Sequence, residues 1–208
     1  DLLQTALDLS RRSTEEAPGD YSHIWRKAIE DHEQNHPHQL KDYLVSSVRD
    51  SAERIAAKDR DEVPVLVERL ETRPWRVFHR IALHVLRKFP GGNQGLIEDR
   101  LTSPSCFSPS DLRHEYVLLI KEHFALMTEG GRAKILDFIE NGPDLDRYRE
   151  SRESVTGRKL PDEEVESYKK HWQRDRLAPI ADLLPEDWKV RYQRLVTEIG
   201  TPEHPEFV

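Results

Sequence analysis

Apolar residues in this chain recur every three to four positions, and prolines and glycines fall between the periodic runs. This is the pattern of consecutive amphipathic helices. Leu2–Arg12 reads as a first helix and Ser13–Asp20 as a Pro/Gly break. Tyr21–Asn35 reads as a second helix, with Ile24, Trp25, Ala28, Ile29 and His32 on one face and Pro37 after it. Leu40, Tyr43, Leu44, Val48, Ala52 and Ile55 mark a long helix, a break follows at Lys58–Arg60, and Val63–Leu70 continues. Pro74–Phe89 carries the widest apolar face, formed by Trp75, Phe78, Ile81, Ala82, Val85, Leu86 and Phe89, which predicts a central helix covered by more than one neighbour. A short helix near Leu96–Leu101, a loop over Thr102–Ser110 and a further apolar face from Leu112 to Met127 come next. Thr128 reads as an N-cap, and Gly142-Pro143 as the stop of the helix that carries Ile135, Leu136 and Ile139.

Beyond Pro143 the pattern thins. Asp144–Arg176 holds nine acidic and nine basic residues with a narrow apolar stripe, which predicts helices packing on the preceding stack or projecting from it. Pro161-Asp162-Glu163-Glu164 and Pro185-Glu186-Asp187 both read as helix starts, with Pro at the first position and acids in the first turn. Trp188, Tyr192, Leu195, Val196 and Ile199 make a last packed face. The predicted fold class is therefore all-α: stacked antiparallel helix pairs, either an α-solenoid or an irregular helical array. Residues 1–143 form the stack and 144–208 the charged C-terminal helices.

A spacing recurs within the stack. Leu66-Val67, then Leu70, then Pro74 matches Ile135-Leu136, then Ile139, then Pro143, and Leu96-Ile97, Leu101 and Pro104 vary it. The longer helices begin near Leu40, Trp75 and Leu112, intervals of 35 and 37 residues, the length of a two-helix repeat. On Val77, Arg80, Ala82, Leu83 and Leu86, preceded by a proline, the chain resembles the helices of HEAT-type repeats, over Leu40–Pro143. The whole also resembles helical stretches of large bacterial multidomain proteins. That resemblance implies a scaffold that binds a protein or another domain of the same chain. The opening Asp-Leu-Leu and the closing Pro-rich end fit the same expectation of a segment from a longer protein.

Composition bounds the function. The 208 residues are 36% hydrophobic and 34% charged, and no apolar run approaches the roughly 18 residues of a spanning helix. A net charge of −7 argues against nucleic acid and anionic membranes as general partners, so only a local basic patch can attract them. One such stripe is evident. No Asp or Glu lies between Glu71 and Glu98, and within that window Arg76, Arg80 and Arg87, with Lys88, line the side of the helix away from its apolar face. These residues are candidate ligands for phosphates or an acidic peptide. The alternative is internal pairing, with Glu68, Glu71, Glu98 and Asp99 as the expected partners. The single cysteine, Cys106, excludes an intrachain disulfide and fits a reducing cytoplasm.

One motif points to catalysis. His32-Glu33-Gln34-Asn35-His36 spells H-E-x-x-H, which on a helix lets His32 and His36 share a zinc ion while Glu33 activates water. Pro37 directly after the second histidine and the acidic Glu30 and Asp31 before the first oppose that geometry. The plainer reading packs His32 on the apolar face and leaves Glu33 and His36 in water. His38 adds a third imidazole to a surface cluster. Cys106 has no base readable beside it, and Gly91-Gly92-Asn93-Gln94-Gly95 lacks the Lys-Ser/Thr of a phosphate loop. No complete active site and no cofactor are expected. A homodimer or weak self-association is expected, because repeat segments without polar caps expose apolar end faces.

Overall fold

A computed structural model describes residues 2–11, 21–33, 35 and 39–204. Among these residues there are twelve α-helices and no strand, an all-α irregular helical array. No helix among them is long and apolar enough to cross a membrane. The chain divides into two compact units, 1–123 and 124–208.

The N-terminal unit contains α1 (Leu2–Arg11), α2 (Ser22–Trp25), α3 (Leu40–Lys58), α4 (Val63–Glu71), α5 (Arg76–Lys88), α6 (Gln94–Leu101), α7 (Pro104–Phe107) and α8 (Arg113–His123). The long helices start within a residue of the positions that the pattern marks. A capping box opens α3: the Gln39 backbone N–H donates to Asp42 Oδ2 at 2.9 Å, and the Gln39 side chain accepts from the backbone of Asp42. At the centre lies α5, packed against α3, α4 and α8, as its wide apolar face predicts. Burial runs almost all the way round it. Val77, Phe78, Ile81, Ala82, Leu83, Val85 and Leu86 are buried, and so are Arg80 and His84. Val67 and Leu70 in α4, and Ile97 and Leu101 in α6, are all buried.

Two expectations in this unit are corrected. The Tyr21–Asn35 helix does not form: α2 ends at Trp25, and an irregular segment follows. The Thr102–Ser110 loop contains the four-residue α7, which buries Cys106 and Phe107. Phe107 packs edge-on against Tyr116, whose hydroxyl donates to Leu101 O at 2.7 Å. The Ser13–Asp20 break lies outside the described residues.

The C-terminal unit contains α9 (Glu129–Asn141), α10 (Leu145–Thr156), α11 (Asp162–Leu177) and α12 (Glu186–Ile199). The boundary read from sequence falls after Pro143. In the structure it lies between His123 and Phe124, because α9 packs on α11, with Gln173 Nε2 donating to Ile139 O at 2.9 Å. Thr128 caps α9, accepting from the Gly131 N–H at 3.0 Å. The two proline-acid sequences open α11 and α12, with Pro161 and Pro185 at the N-cap, one residue before the expected first helical position. No side chain of α10 is buried, and α10 is tied to α11 by polar contacts and one aromatic pair.

Candidate functional site

The arginine stripe of α5 faces carboxylates of α8 and of the single turn that precedes it. Arg76 Nε lies 3.6 Å from Asp111, Arg80 Nε donates to Glu115 Oε2 at 2.8 Å, and Arg87 Nη1 donates to Glu122 at 3.0 Å. Each pair spans the same 35-residue offset. A constant offset over three rungs means that α5 and α8 run parallel and in register. Arg87 also reaches Glu30, and Lys88 Nζ lies 3.8 Å from Glu53 on α3. All four candidate cations therefore meet carboxylates of their own chain. The partners differ from those expected. Glu71 binds Arg100 instead, bidentately at 2.7 Å.

The middle rung is fully buried, with Arg80 at 0% exposure and Glu115 at 2%. The Arg80 guanidinium grips both carboxylate oxygens, Nη2 reaching Oε1 at 3.0 Å. Two further donors go to backbone carbonyls of the segment after α2, Nη1 to Arg26 O at 2.8 Å and Nη2 to Lys27 O at 3.0 Å. Glu115 Oε1 in turn accepts the Ile29 N–H at 3.0 Å. Burial pushes the Glu115 carboxyl up, but the Arg80 charge and these hydrogen bonds outweigh it and hold it below the ordinary carboxylate value.

The same segment is held from other sides. Arg26 turns back on its own strand of chain, donating to Ala28 O at 2.9 Å and Ile29 O at 3.1 Å. Arg49, from α3, donates to Ile29 O at 2.9 Å and to Asp31 at 2.7 Å. Asn35 closes the loop by donating to Ala28 O at 2.8 Å and Glu30 O at 2.9 Å. These bonds explain the missing helix. Carbonyls that a helix would satisfy four residues along are taken by guanidinium and amide groups, and Ala28 and Ile29 are completely buried. Burial lowers the Arg26 pKa, with Arg49 adding to the effect. Arg49 itself is raised, since Asp31 and Asp50 overcome its burial.

Around this clamp sit two buried histidines. His84 Nε2 lies 2.7 Å from Glu53 Oε1, and burial pushes its pKa down against the pull of that carboxylate. His114 is lowered by burial as well, and its ring lies 6.3 Å from that of His32 in an edge-on arrangement. His32 therefore sits in an irregular loop, half-buried, and not on a helix. Glu33 is exposed, and His36 lies outside the described residues, as do Pro37 and His38. The helical presentation that H-E-x-x-H chemistry requires is not formed at His32, because the Asn35 N–H bonds His32 O at 2.9 Å in a turn. Among the described residues no group of three or more His, Cys, Asp or Glu side chains is arranged to hold a metal ion. Burial raises the Cys106 pKa, the opposite of what a nucleophilic thiolate needs.

Glu115, Arg26, Arg49 and Asn35 were not candidates from sequence. One signal could have found the first. Applying the 35-residue helix spacing to Arg76, Arg80 and Arg87 lands on Asp111, Glu115 and Glu122, all acidic. What the arrangement does is hold backbone: every charge in it is matched by another residue of the chain. Comparison of the chain with family models, with curated proteins and with solved structures finds no match.

Proposed function

We propose that this chain is a non-catalytic helical scaffold, a HEAT-like repeat segment of a larger bacterial cytoplasmic protein, whose role is to bind protein. The observation that carries this reading is a set of exposed apolar side chains on α2 and on the first turn of α3. Ile24 is 60% exposed, Leu40 69% and Tyr43 58%. The two elements adjoin, because Lys41 Nζ lies 4.2 Å from the Trp25 ring centroid, and Leu40 and Tyr43 share one face of α3. Large apolar side chains grouped in this way mark surfaces that meet another protein. The parallel register of α5 and α8 supports the repeat reading, and the unbonded Cys106 agrees with a reducing compartment. Arg80, Glu115, Arg49 and Arg26, by contrast, are spent inside the N-terminal unit, on the ladder and the clamped segment.

The test is light scattering across a concentration series, with Leu40→Lys/Tyr43→Lys beside the parent chain. The parent chain gains mass with concentration, and the variant stays monomeric with an unchanged helical circular dichroism spectrum. A parent chain that remains monomeric at high concentration overturns self-association through this surface.

A further inference from the structure

In the C-terminal unit, α10 and α11 enclose an open groove lined by Tyr148, Glu163, Glu164, Ser167, Tyr168 and His171. Five of these lie on one face of α11, at intervals of three to four residues, and Tyr148 closes the groove from α10. The floor is aromatic. The Tyr148 and Tyr168 rings stack with centroids 3.7 Å apart and planes within 3° of parallel. The rim is acidic. Glu164 is held by Arg158 at 2.9 and 3.0 Å, whereas no hydrogen bond or ion pair engages the exposed Glu163 among the described residues.

Elsewhere in this unit, ring faces are covered by the chain's own cations. Arg176 lies 3.7 Å from the Trp172 ring centroid, Arg191 lies 4.8 Å from that of Trp188, and Lys134 lies 5.8 Å from that of Phe138. No cation of the described residues lies over the Tyr148–Tyr168 pair. A half-exposed aromatic floor beside a carboxylate with no counter-charge matches one side-chain chemistry closely. A guanidinium is planar, stacks on a ring face, and donates in a fork to a carboxylate at its edge.

We infer that this groove receives an arginine side chain of a partner protein, with the guanidinium stacked on the tyrosine pair and forked onto Glu163. The inference rests on the α10–α11 geometry alone, so it stands or falls separately from the α2–α3 surface.

The experiment titrates the full chain with the capped tripeptide Gly-Arg-Gly, and with its lysine and citrulline counterparts, following the tyrosine ring resonances by NMR. Citrulline keeps the shape of arginine and removes the charge. The arginine peptide is expected to shift the Tyr148 and Tyr168 resonances saturably, the lysine peptide to bind more weakly, and the citrulline peptide to leave them in place. Glu163→Gln, an exposed change that leaves the fold intact, weakens binding about two- to fivefold, the scale of a surface ion pair. Ser167→Arg supplies a guanidinium from within the chain and abolishes binding, with circular dichroism unchanged. The inference is overturned if citrulline or lysine binds as arginine does, if Glu163→Gln binds like the parent chain, or if the tyrosine resonances do not respond to arginine.

Discussion

Arg80 illustrates how much one side chain can organise when it is buried with its partner. Its guanidinium satisfies Glu115 and two backbone carbonyls at once, and Glu115 satisfies the Ile29 amide. Removing either charge strands the other in a dry site. Arg80→Met and Glu115→Ala are each expected to cost about 3–5 kcal/mol, read from urea unfolding midpoints. Replacing a buried ion pair by apolar residues often restores stability, but full recovery is not expected here. Arg80→Met/Glu115→Leu still leaves the Arg26 and Lys27 carbonyls and the Ile29 amide without partners, so the double variant stays well below the parent chain. Recovery to parental stability would show that the backbone contacts contribute little. Glu122, about half exposed on the outer rung, behaves differently, and Glu122→Gln costs under about 1 kcal/mol.

At the scale of elements, helix ends follow local rules and the stretch after Trp25 does not. Thr128, Pro161 and Pro185 sit where sequence places helix starts, and each is followed by a helix in the structure. Gly142 and Gly157, at φ 77° and 66°, end α9 and α10 in the backbone region that favours glycine. Thr128→Ala removes the side-chain acceptor of the Gly131 N–H and is expected to destabilise by about 1 kcal/mol, whereas Thr128→Ser retains the cap and stability. The 26–33 stretch has helical periodicity, with Ala28, Ile29 and His32 spaced for one face, but Arg80, Arg49 and Asn35 outbid the helical hydrogen bonds. The histidine motif loses its helical frame for that reason, and its own Asn35 takes part by donating to the Ala28 and Glu30 carbonyls.

For the whole molecule, the distribution of buried and half-buried histidines is expected to shape the response to acid. His79, His84, His114 and His123 all belong to the N-terminal unit, and burial holds each below the ordinary imidazole value. A histidine lowered in the folded state binds fewer protons there than when unfolded. The stability it contributes is complete above the unfolded value of about 6.5 and is lost as pH falls below it. Acidification from neutral pH is therefore expected to unfold the N-terminal unit first. Trp25 and Trp75 report on that unit, and Trp172 and Trp188 on the other. In variants keeping only one pair of tryptophans, the fluorescence transition of the first pair shifts to lower temperature between neutral and mildly acidic pH by more than that of the second. His84→Gln reduces the difference. Equal shifts for both pairs would place the acid sensitivity outside these histidines.

Sequence alone determined the helical class, most of the helix boundaries, the central position of α5 and the 35-residue spacing. Those features follow from periodicity and from end signals that act within one turn. Only the tertiary structure decided the conformation after Trp25 and the fate of the arginine stripe, because both depend on contacts between distant parts of the chain. Arg80 reaches the Arg26 carbonyl across 54 residues and Glu115 across 35. Backbone carbonyls accept a hydrogen bond from whichever donor the fold brings to them, and a local pattern cannot show that a guanidinium will arrive before the next turn of helix.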